Sequence, residues 1–139
     1  VMGIVFAPAL DRLFFGSLGN GAFEISGGIC HQIRVRMPPA EGPVAVASAS
    51  HRDVQTNQWL EKRGITNSIS IGSSLKFCLI AAGEADLYPR YGPTMEWDTA
   101  AGDAVLRAAG GRVTAEDGKP FPYGKAGYRN QPFFAVGGG

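Results

Sequence analysis

Residues 96–111 have the sequence Glu-Trp-Asp-Thr-Ala-Ala-Gly-Asp-Ala-Val-Leu-Arg-Ala-Ala-Gly-Gly, and the interpretation of the whole chain starts from them. Small apolar residues recur here at the spacing of one helix face, which predicts a helix over residues 99–109. These residues are Ala101, Ala104, Val105 and Ala108. Gly110 and Gly111 follow and end the helix. Because its side chains are small, this helix can pack closely against a sheet, which indicates a layered α/β domain.

Asp98 stands just before this predicted helix, and two roles are open to it. An aspartate at that position can cap the helix by accepting hydrogen bonds from free backbone N–H groups, with Trp97 as a core anchor. The carboxylate could instead bind a cation such as Mg²⁺, which prefers a few hard oxygen ligands and keeps several waters. Spacing alone favours the cap.

Strands and helices alternate around the helix at 99–109. The continuously apolar segment 44–47 is typical of a buried central strand. The segment 74–85 is apolar on almost every face, which is typical of a helix buried between layers. In chain order we predict strands at 44–47, 68–71, 86–91, 112–115 and 132–136, and further helices at 52–63 and 74–85.

The first 37 residues follow a different pattern, in which short β-like runs alternate with turn signals. The runs are 3–7, 10–16, 22–25 and 32–36. The Gly-Asn-Gly sequence at 19–21 is a strong tight-turn signal, so these runs predict an antiparallel meander. Prolines at 38, 39 and 43 indicate a linker at 38–43. We therefore predict strands in 1–37, a linker at 38–43 and an α/β domain at 44–139.

A predicted strand runs into Gly72-Ser73-Ser74 and then into a helix that carries Lys76 in its first turn. Free N–H groups at a helix start, two hydroxyls and a cation make a site for an anion such as phosphate. Ser73 could instead only cap the helix. A cap does not explain Lys76, because a cation near a helix N-terminus opposes the dipole.

Polar side chains also follow other predicted strands. Ser48, Ser50 and His51 come after the first buried strand, and Arg90 belongs to the end of a later one. Ligands bind at the carboxyl ends of strands in open α/β sheets. Taken singly, His51 could be an ordinary loop residue and Arg90 a solvated one. Taken together with the Gly72 turn and Asp98, they predict a phosphate ester held beside a metal.

Composition limits the function classes. The chain has 139 residues, 45% of them hydrophobic and 18% charged, with net charge +1 and a pI near 8.0. This suits one packed domain or the end of a larger one, and gives no strong pull toward a nucleic acid polymer. No apolar run reaches the length of a membrane span and no signal peptide is evident, so we expect a cytoplasmic protein. Two cysteines, Cys30 and Cys78, are expected to be reduced core residues.

These motifs carry a resemblance to a known family. The segment 97–102, with 108–111 after it, matches the second signature of the inositol monophosphatase superfamily. More narrowly, the segments 72–78, 85–90 and 48–51 are similar to the bacterial 3'(2'),5'-bisphosphate nucleotidases. The resemblance covers nearly the whole chain. It implies the C-terminal portion of a layered α/β/α/β/α sandwich, with remnant strands of a metal-binding sheet domain before the linker and the substrate-binding domain after it.

The resemblance also implies an activity and roles for the residues. Family members of this kind are Mg²⁺-dependent and lithium-sensitive phosphomonoesterases that remove the 3'-phosphate of adenosine 3',5'-bisphosphate, a by-product of sulfate assimilation. Asp98 becomes a metal ligand and catalytic residue that also faces the substrate. The implied substrate-binding residues are Ser48, Ser50, His51, Gly72, Ser73, Lys76 and Arg90.

The sequence departs from the family at one point. The first family signature, Asp-Pro-(Leu/Ile)-Asp-Gly-Thr, supplies two metal-binding carboxylates, and it is absent from these 139 residues. In the family it lies upstream of the segment that matches Val1 onward. We therefore expect the 139 residues alone to have no phosphatase activity.

Three other functions stay open. They are a phosphatase of the same superfamily acting on inositol or sugar phosphates, a phosphate- or nucleotide-binding module without catalysis, and a dimerisation unit. The expected partner is a phosphorylated nucleotide, with a homodimer possible. Peripheral association with the cytoplasmic side of the inner membrane is compatible with this expectation.

Overall fold

The first sheet is an antiparallel meander. The computed structural model describes residues 1–48 and 53–139. Its first four strands pair in chain order and are β1 (Met2–Ala7), β2 (Arg12–Ser17), β3 (Gly21–Ser26) and β4 (Ile29–Ile33). Alternate residues of β1 are buried and exposed, as expected of a sheet with one covered face. The predicted meander is confirmed.

The fourth strand begins at Ile29, three residues before the predicted start at residue 32. Gly27 and Gly28 both adopt left-handed conformations, with φ of 56° and 78°. Two consecutive left-handed residues form the tight turn that matches the twist of a hairpin, and this turn sets the register of β3 against β4. Cys30 therefore lies on an exposed edge strand, and the expectation of a core position is wrong for it.

The second sheet is mixed. In the order β6-β5-β7-β11-β9 it contains β5 (Ala45–Ala47), β6 (Ser68–Ser70), β7 (Leu87–Arg90), β9 (Arg112–Ala115) and β11 (Phe133–Val136). The strand β5 pairs parallel with β6 and β7, whereas β11 runs antiparallel to β7 and β9. A separate two-stranded ladder joins β8 (Thr94–Met95) to β10 (Arg129–Asn130). The carboxyl ends of β5, β6 and β7 thus meet at one edge.

Two of the three α-helices in the described residues lie between the sheets. These are α2 (Leu75–Ala81) and α3 (Glu96–Ala108), whereas α1 (Val54–Lys62) packs on the far face of the second sheet. Small residues allow the close approach: a methyl group at Gly16 would lie 2.9 Å from Ala108 Cβ. One at Gly102 would lie 2.6 Å from Phe77 Cδ2. The layered fold predicted from the small-residue helix is confirmed.

Both buried helices differ from the prediction at an end. The helix α3 begins at Glu96, three positions before the predicted Thr99, because the extended Met95 occupies the N-cap position. Asp98 therefore lies inside the first turn, and the predicted capping position is wrong. The helix α2 stops at Ala81 and not at residue 85, since Gly83 turns the chain away with φ of 74°.

Aromatic side chains pack against both faces of the second sheet. Phe77 on α2 stacks on Phe133 at 5.8 Å between ring centroids and meets the edge of Tyr88 at 5.4 Å. On the other face of the sheet, Trp59 of α1 lies 5.3 Å from Phe134. The edge of the sheet where β5 and β7 end is consequently held in place from both faces.

Residues 38–43 contain no strand or helix, and their neighbours are tied down. Arg36 forms a bidentate ion pair with buried Asp86, with both N–O distances 3.0 Å. The Val44 N–H also donates to Asp86, at 2.7 Å. The division into 1–37 and 44–139 stays a prediction. No helix in the described part of the chain is both long enough and apolar enough to cross a membrane.

Candidate active site

A pocket of about 230 Å³ opens where β5, β6 and β7 end and α3 begins. Six of the predicted site residues line it together, although they come from four separate segments. They are Ser48, Gly72, Ser73, Lys76, Arg90 and Asp98. The other two, Ser50 and His51, lie outside the described residues. The structure brings these six residues together in one pocket, while their roles in binding and catalysis stay predictions.

The turn between β6 and α2 shapes one wall of the pocket. Ser73 adopts a left-handed conformation with φ of 60°, which a serine rarely does. Ser74, and not Ser73, occupies the N-cap position of the helix, and its side chain makes no capping hydrogen bond. The alternative that Ser73 only caps the helix is therefore wrong. The unusual backbone turns Ser73 and Gly72 toward the pocket and leaves both exposed.

Lys76 lines the pocket but is only 3% exposed. Its Nζ donates to the Ser73 carbonyl at 3.4 Å and lies 5.3 Å from the centroid of the Tyr88 ring. Burial and, to a smaller extent, the nearby positive charge of Arg90 together lower the pKa of Lys76 to about 8. Within residues 1–48 and 53–139, no carboxylate forms an ion pair with it. A buried ammonium without a counter-charge is a strong anion-binding group.

Arg90 supplies a second positive charge at the end of β7. Its Nε donates to the Gly92 carbonyl at 3.2 Å, and a terminal nitrogen donates to the Pro93 carbonyl at 3.4 Å. These bonds fix the turn that leads into β8. They leave the guanidinium at the pocket, where it can bind a planar arrangement of oxygen atoms.

Asp98 faces the cations from the α3 side and is exposed. Its Oδ2 accepts a hydrogen bond from the Met95 N–H at 2.8 Å, which orients the carboxylate in the first turn of the helix. Among the described residues, no group of three His, Cys, Asp or Glu side chains lies close enough together to hold a metal ion. Asp98 is therefore the one carboxylate among the described residues that line the pocket, and these residues do not complete a metal site on their own.

A neighbouring carboxylate has a structural task. Glu96 accepts hydrogen bonds from the Gly124 and Lys125 N–H groups, both at 3.0 Å, and forms an ion pair with Lys125 Nζ at 2.7 Å. The Lys125 hydrogen bonds lower the pKa of Glu96 to about 2. This carboxylate ties the segment after β9 to the start of α3.

Sequence reasoning did not identify Thr94 and Thr99, which also line the pocket. Both hydroxyls lie within hydrogen-bond distance of Asn130 Nδ2, at 3.1 Å and 3.2 Å. Asn130 is more than 30 positions away from them in the sequence, and it reaches them through the two-residue ladder of β8 and β10. A ladder this short has no periodicity that could have revealed it.

The fold agrees with what comparison with known proteins shows. The chain belongs to the inositol monophosphatase family, whose profile matches residues 1–132. The family prediction made from the motifs is confirmed.

Among its relatives, the chain is 46% identical over 123 residues to the 3'(2'),5'-bisphosphate nucleotidase CysQ of Escherichia coli strain K12, which covers 88% of this chain and 49% of that protein. It is 39% identical over 138 residues to CysQ of Buchnera aphidicola, covering 97% of this chain and 51% of that one. The crystal structure of CysQ from Bacteroides thetaiotaomicron superposes with a TM-score of 0.88 at 36% identity, over 99% of this chain and 58% of that chain. The chain spans about half the length of the curated relatives it matches.

Proposed function

We propose that this chain is the phosphate- and nucleotide-binding part of a phosphomonoesterase that removes the 3'-phosphate of adenosine 3',5'-bisphosphate. The observation that carries the proposal is Lys76, a buried cation without a carboxylate partner in the described structure, which lines a pocket together with Arg90. Burying an ammonium costs free energy that a bound anion would repay. The names of the relatives at 39–46% identity support the same substrate.

The distribution of charge in the pocket suggests two functions for its two sides. Lys76 and Arg90 would hold one phosphate group, with the Ser73 hydroxyl as a further donor. A phosphate monoester carries a charge between −1.5 and −2 at pH 7, so both cations can be engaged. Asp98 repels that charge, and it would face the phosphate to be hydrolysed only through a cation.

Mg²⁺ is the cation we propose, and the pocket fits it in part. Mg²⁺ is usually bound by one or two carboxylates together with substrate phosphates and waters, and Asp98 supplies one carboxylate. When bound, such ions activate a water for attack at phosphorus and stabilise the leaving oxygen. Additional carboxylates would have to come from outside the described residues. We therefore propose that the 139 residues bind the substrate without turning it over.

Phosphate release tests the activity. A protein extended to the length of the relatives should release inorganic phosphate from adenosine 3',5'-bisphosphate with Mg²⁺, faster than from inositol 1-phosphate or fructose 1,6-bisphosphate. Lithium should inhibit it, and Asp98→Asn should abolish turnover. Faster release from either of the other two substrates would favour the alternative phosphatase activity. Turnover by the 139 residues alone would contradict the proposed division of labour.

A diffusible nucleotide, not a nucleic acid polymer, is the proposed partner. A cytoplasmic location goes with this substrate, since sulfate assimilation is where the resemblance places the activity. Analytical ultracentrifugation of the protein tests whether a homodimer forms, which the expectations from sequence left open.

A further inference from the structure

A buried amide lies directly behind the pocket. Asn130 is 4% exposed, and its Nδ2 lies 3.1 Å from Thr94 Oγ1 and 3.2 Å from Thr99 Oγ1. Both threonines line the pocket, whereas Asn130 does not. Asn130 Oδ1 is buried and accepts no hydrogen bond within the described residues. An unpaired buried acceptor costs free energy, and the two contacts of the NH₂ group hold the amide in this orientation in spite of that cost.

The direction of each hydrogen bond follows from Thr99. Its Oγ1 lies 3.2 Å from the Glu96 carbonyl, which can only accept, so the Thr99 hydroxyl donates there. Thr99 Oγ1 must then accept from Asn130, which places the NH₂ group toward both threonines. The Tyr123 hydroxyl nearby donates to the Asp103 carboxylate at 2.8 Å and does not reverse this assignment.

Thr94 Oγ1 consequently accepts from Asn130, and its own O–H is left to donate elsewhere. Across residues 1–48 and 53–139 that O–H donates no hydrogen bond. The turn that carries Thr94 is fixed from its other side by the two hydrogen bonds of Arg90 to the carbonyls of residues 92 and 93. Within the described residues this hydroxyl hydrogen therefore has no acceptor, and it lies in a turn that Arg90 holds in place, in the pocket that contains Lys76.

We infer that Thr94 is a further ligand-binding residue of this pocket, whose hydroxyl donates to an anionic oxygen of the bound phosphate ester. Asn130 is its positioning residue, because it occupies the Thr94 oxygen as a donor and so directs the hydroxyl hydrogen toward the ligand. This inference rests on the proposed function, since it assumes a phosphate ester in the pocket. A hydroxyl that donates to an anion makes a strong hydrogen bond with a defined direction.

Binding of adenosine 3',5'-bisphosphate, measured by isothermal titration calorimetry, tests the inference. Thr94→Val keeps the shape of the side chain and removes the donor, so it should weaken binding about tenfold or more. Thr94→Ser restores the hydroxyl and should bind within about twofold of wild type. Thr114→Val on β9, outside the pocket, is the matched control and should bind as wild type does.

A double-mutant cycle separates positioning from a structural effect. Asn130→Ala alone should weaken binding, but it should add no further loss in a Thr94→Val background because it acts through Thr94. Additive losses, or a Thr94→Val affinity within twofold of wild type, would overturn the inference. Thr94→Ala is the second donor-free variant should valine disturb the turn. If wild type itself does not bind the bisphosphate, the proposed function fails with it, and that result is distinct from binding that is equal in wild type and variant.

Discussion

Replacing Lys76 by methionine should make the fold more stable while it removes phosphate binding. The side chain is 3% exposed. Its neighbours compensate little for the burial of its charge, since Arg90 is also positive and the Ser73 carbonyl accepts only a long hydrogen bond. Methionine fills a similar volume without a charge to desolvate. A residue whose removal stabilises the protein but abolishes binding is one that the fold keeps for function.

The size of the effect follows from the pKa of Lys76, which burial lowers from 10.5 to about 8. A tenfold change in proton affinity corresponds to about 1.4 kcal/mol, so keeping this charge buried would cost about 3 kcal/mol in a dry site. Because the pocket is open to water, we expect a gain of about 1–2 kcal/mol in the unfolding free energy of the methionine variant at pH 7.

The pH dependence gives a second signature. An unfolded chain holds the Lys76 proton up to about pH 10.5, whereas the folded chain releases it near pH 8. Between these values the unfolded state binds more protons, so wild-type stability should rise with pH by the Lys76 contribution. Lys76→Met should lack that rise.

Urea unfolding followed by circular dichroism at pH 7 and pH 9.5 measures both effects. Lys62→Met is the control, because Lys62 is an exposed residue in the last turn of α1 and should leave the stability unchanged. A Lys76→Met variant that is less stable than wild type at pH 7, or that shows the same rise with pH, would refute the reasoning.

Three further predictions concern the fold. Gly102→Ala should destabilise the protein by about 1–3 kcal/mol in urea unfolding, because the new methyl group would lie 2.6 Å from Phe77 on the neighbouring helix; a loss below 0.5 kcal/mol would contradict the close packing. The Lys125 hydrogen bonds lower the pKa of Glu96 to about 2, so wild type has a contribution to stability above about pH 4.5 that it loses as the pH falls toward 2. Glu96→Gln should lack this contribution, and equal acid unfolding profiles of the two proteins would argue against the ion pair. The exposed residues Met2, Ile4 and Phe6 give β1 an apolar outer face, through which we expect chains to aggregate. Ile4→Lys should therefore reduce aggregation in light scattering without changing the circular dichroism spectrum, and unchanged scattering would contradict aggregation through this face.

The sequence pattern was sufficient for most of the elements, and its errors have local causes. The helix α3 was predicted from its small-residue face, but its start was placed too late because Asp98 acts at the third helical position and not at the cap. The predicted start of β4 is three residues too late, because the strand is positioned by the left-handed turn at Gly27-Gly28, which hydrophobic alternation does not indicate. In both cases the periodic signal was right, and the boundary depended on the backbone conformation of one or two residues.

The candidate site was predictable where it follows from topology. Ser48, Gly72 and Arg90 meet because β5, β6 and β7 end at the same edge of one sheet. Thr94 and Asn130 were not predictable, since a two-residue ladder and side-chain hydrogen bonds bring them together. That Lys76 has no carboxylate partner among the described residues likewise emerges only from the three-dimensional arrangement.

Calorimetric titration of the 139-residue chain with adenosine 3',5'-bisphosphate in the presence of Mg²⁺ tests the central claim most directly. We predict saturable binding that Lys76→Met abolishes and Lys62→Met preserves, because Lys76 is the buried cation of the pocket and Lys62 is exposed. Equal binding by wild type and Lys76→Met, or no binding by wild type, would contradict the claim that this pocket holds the phosphate.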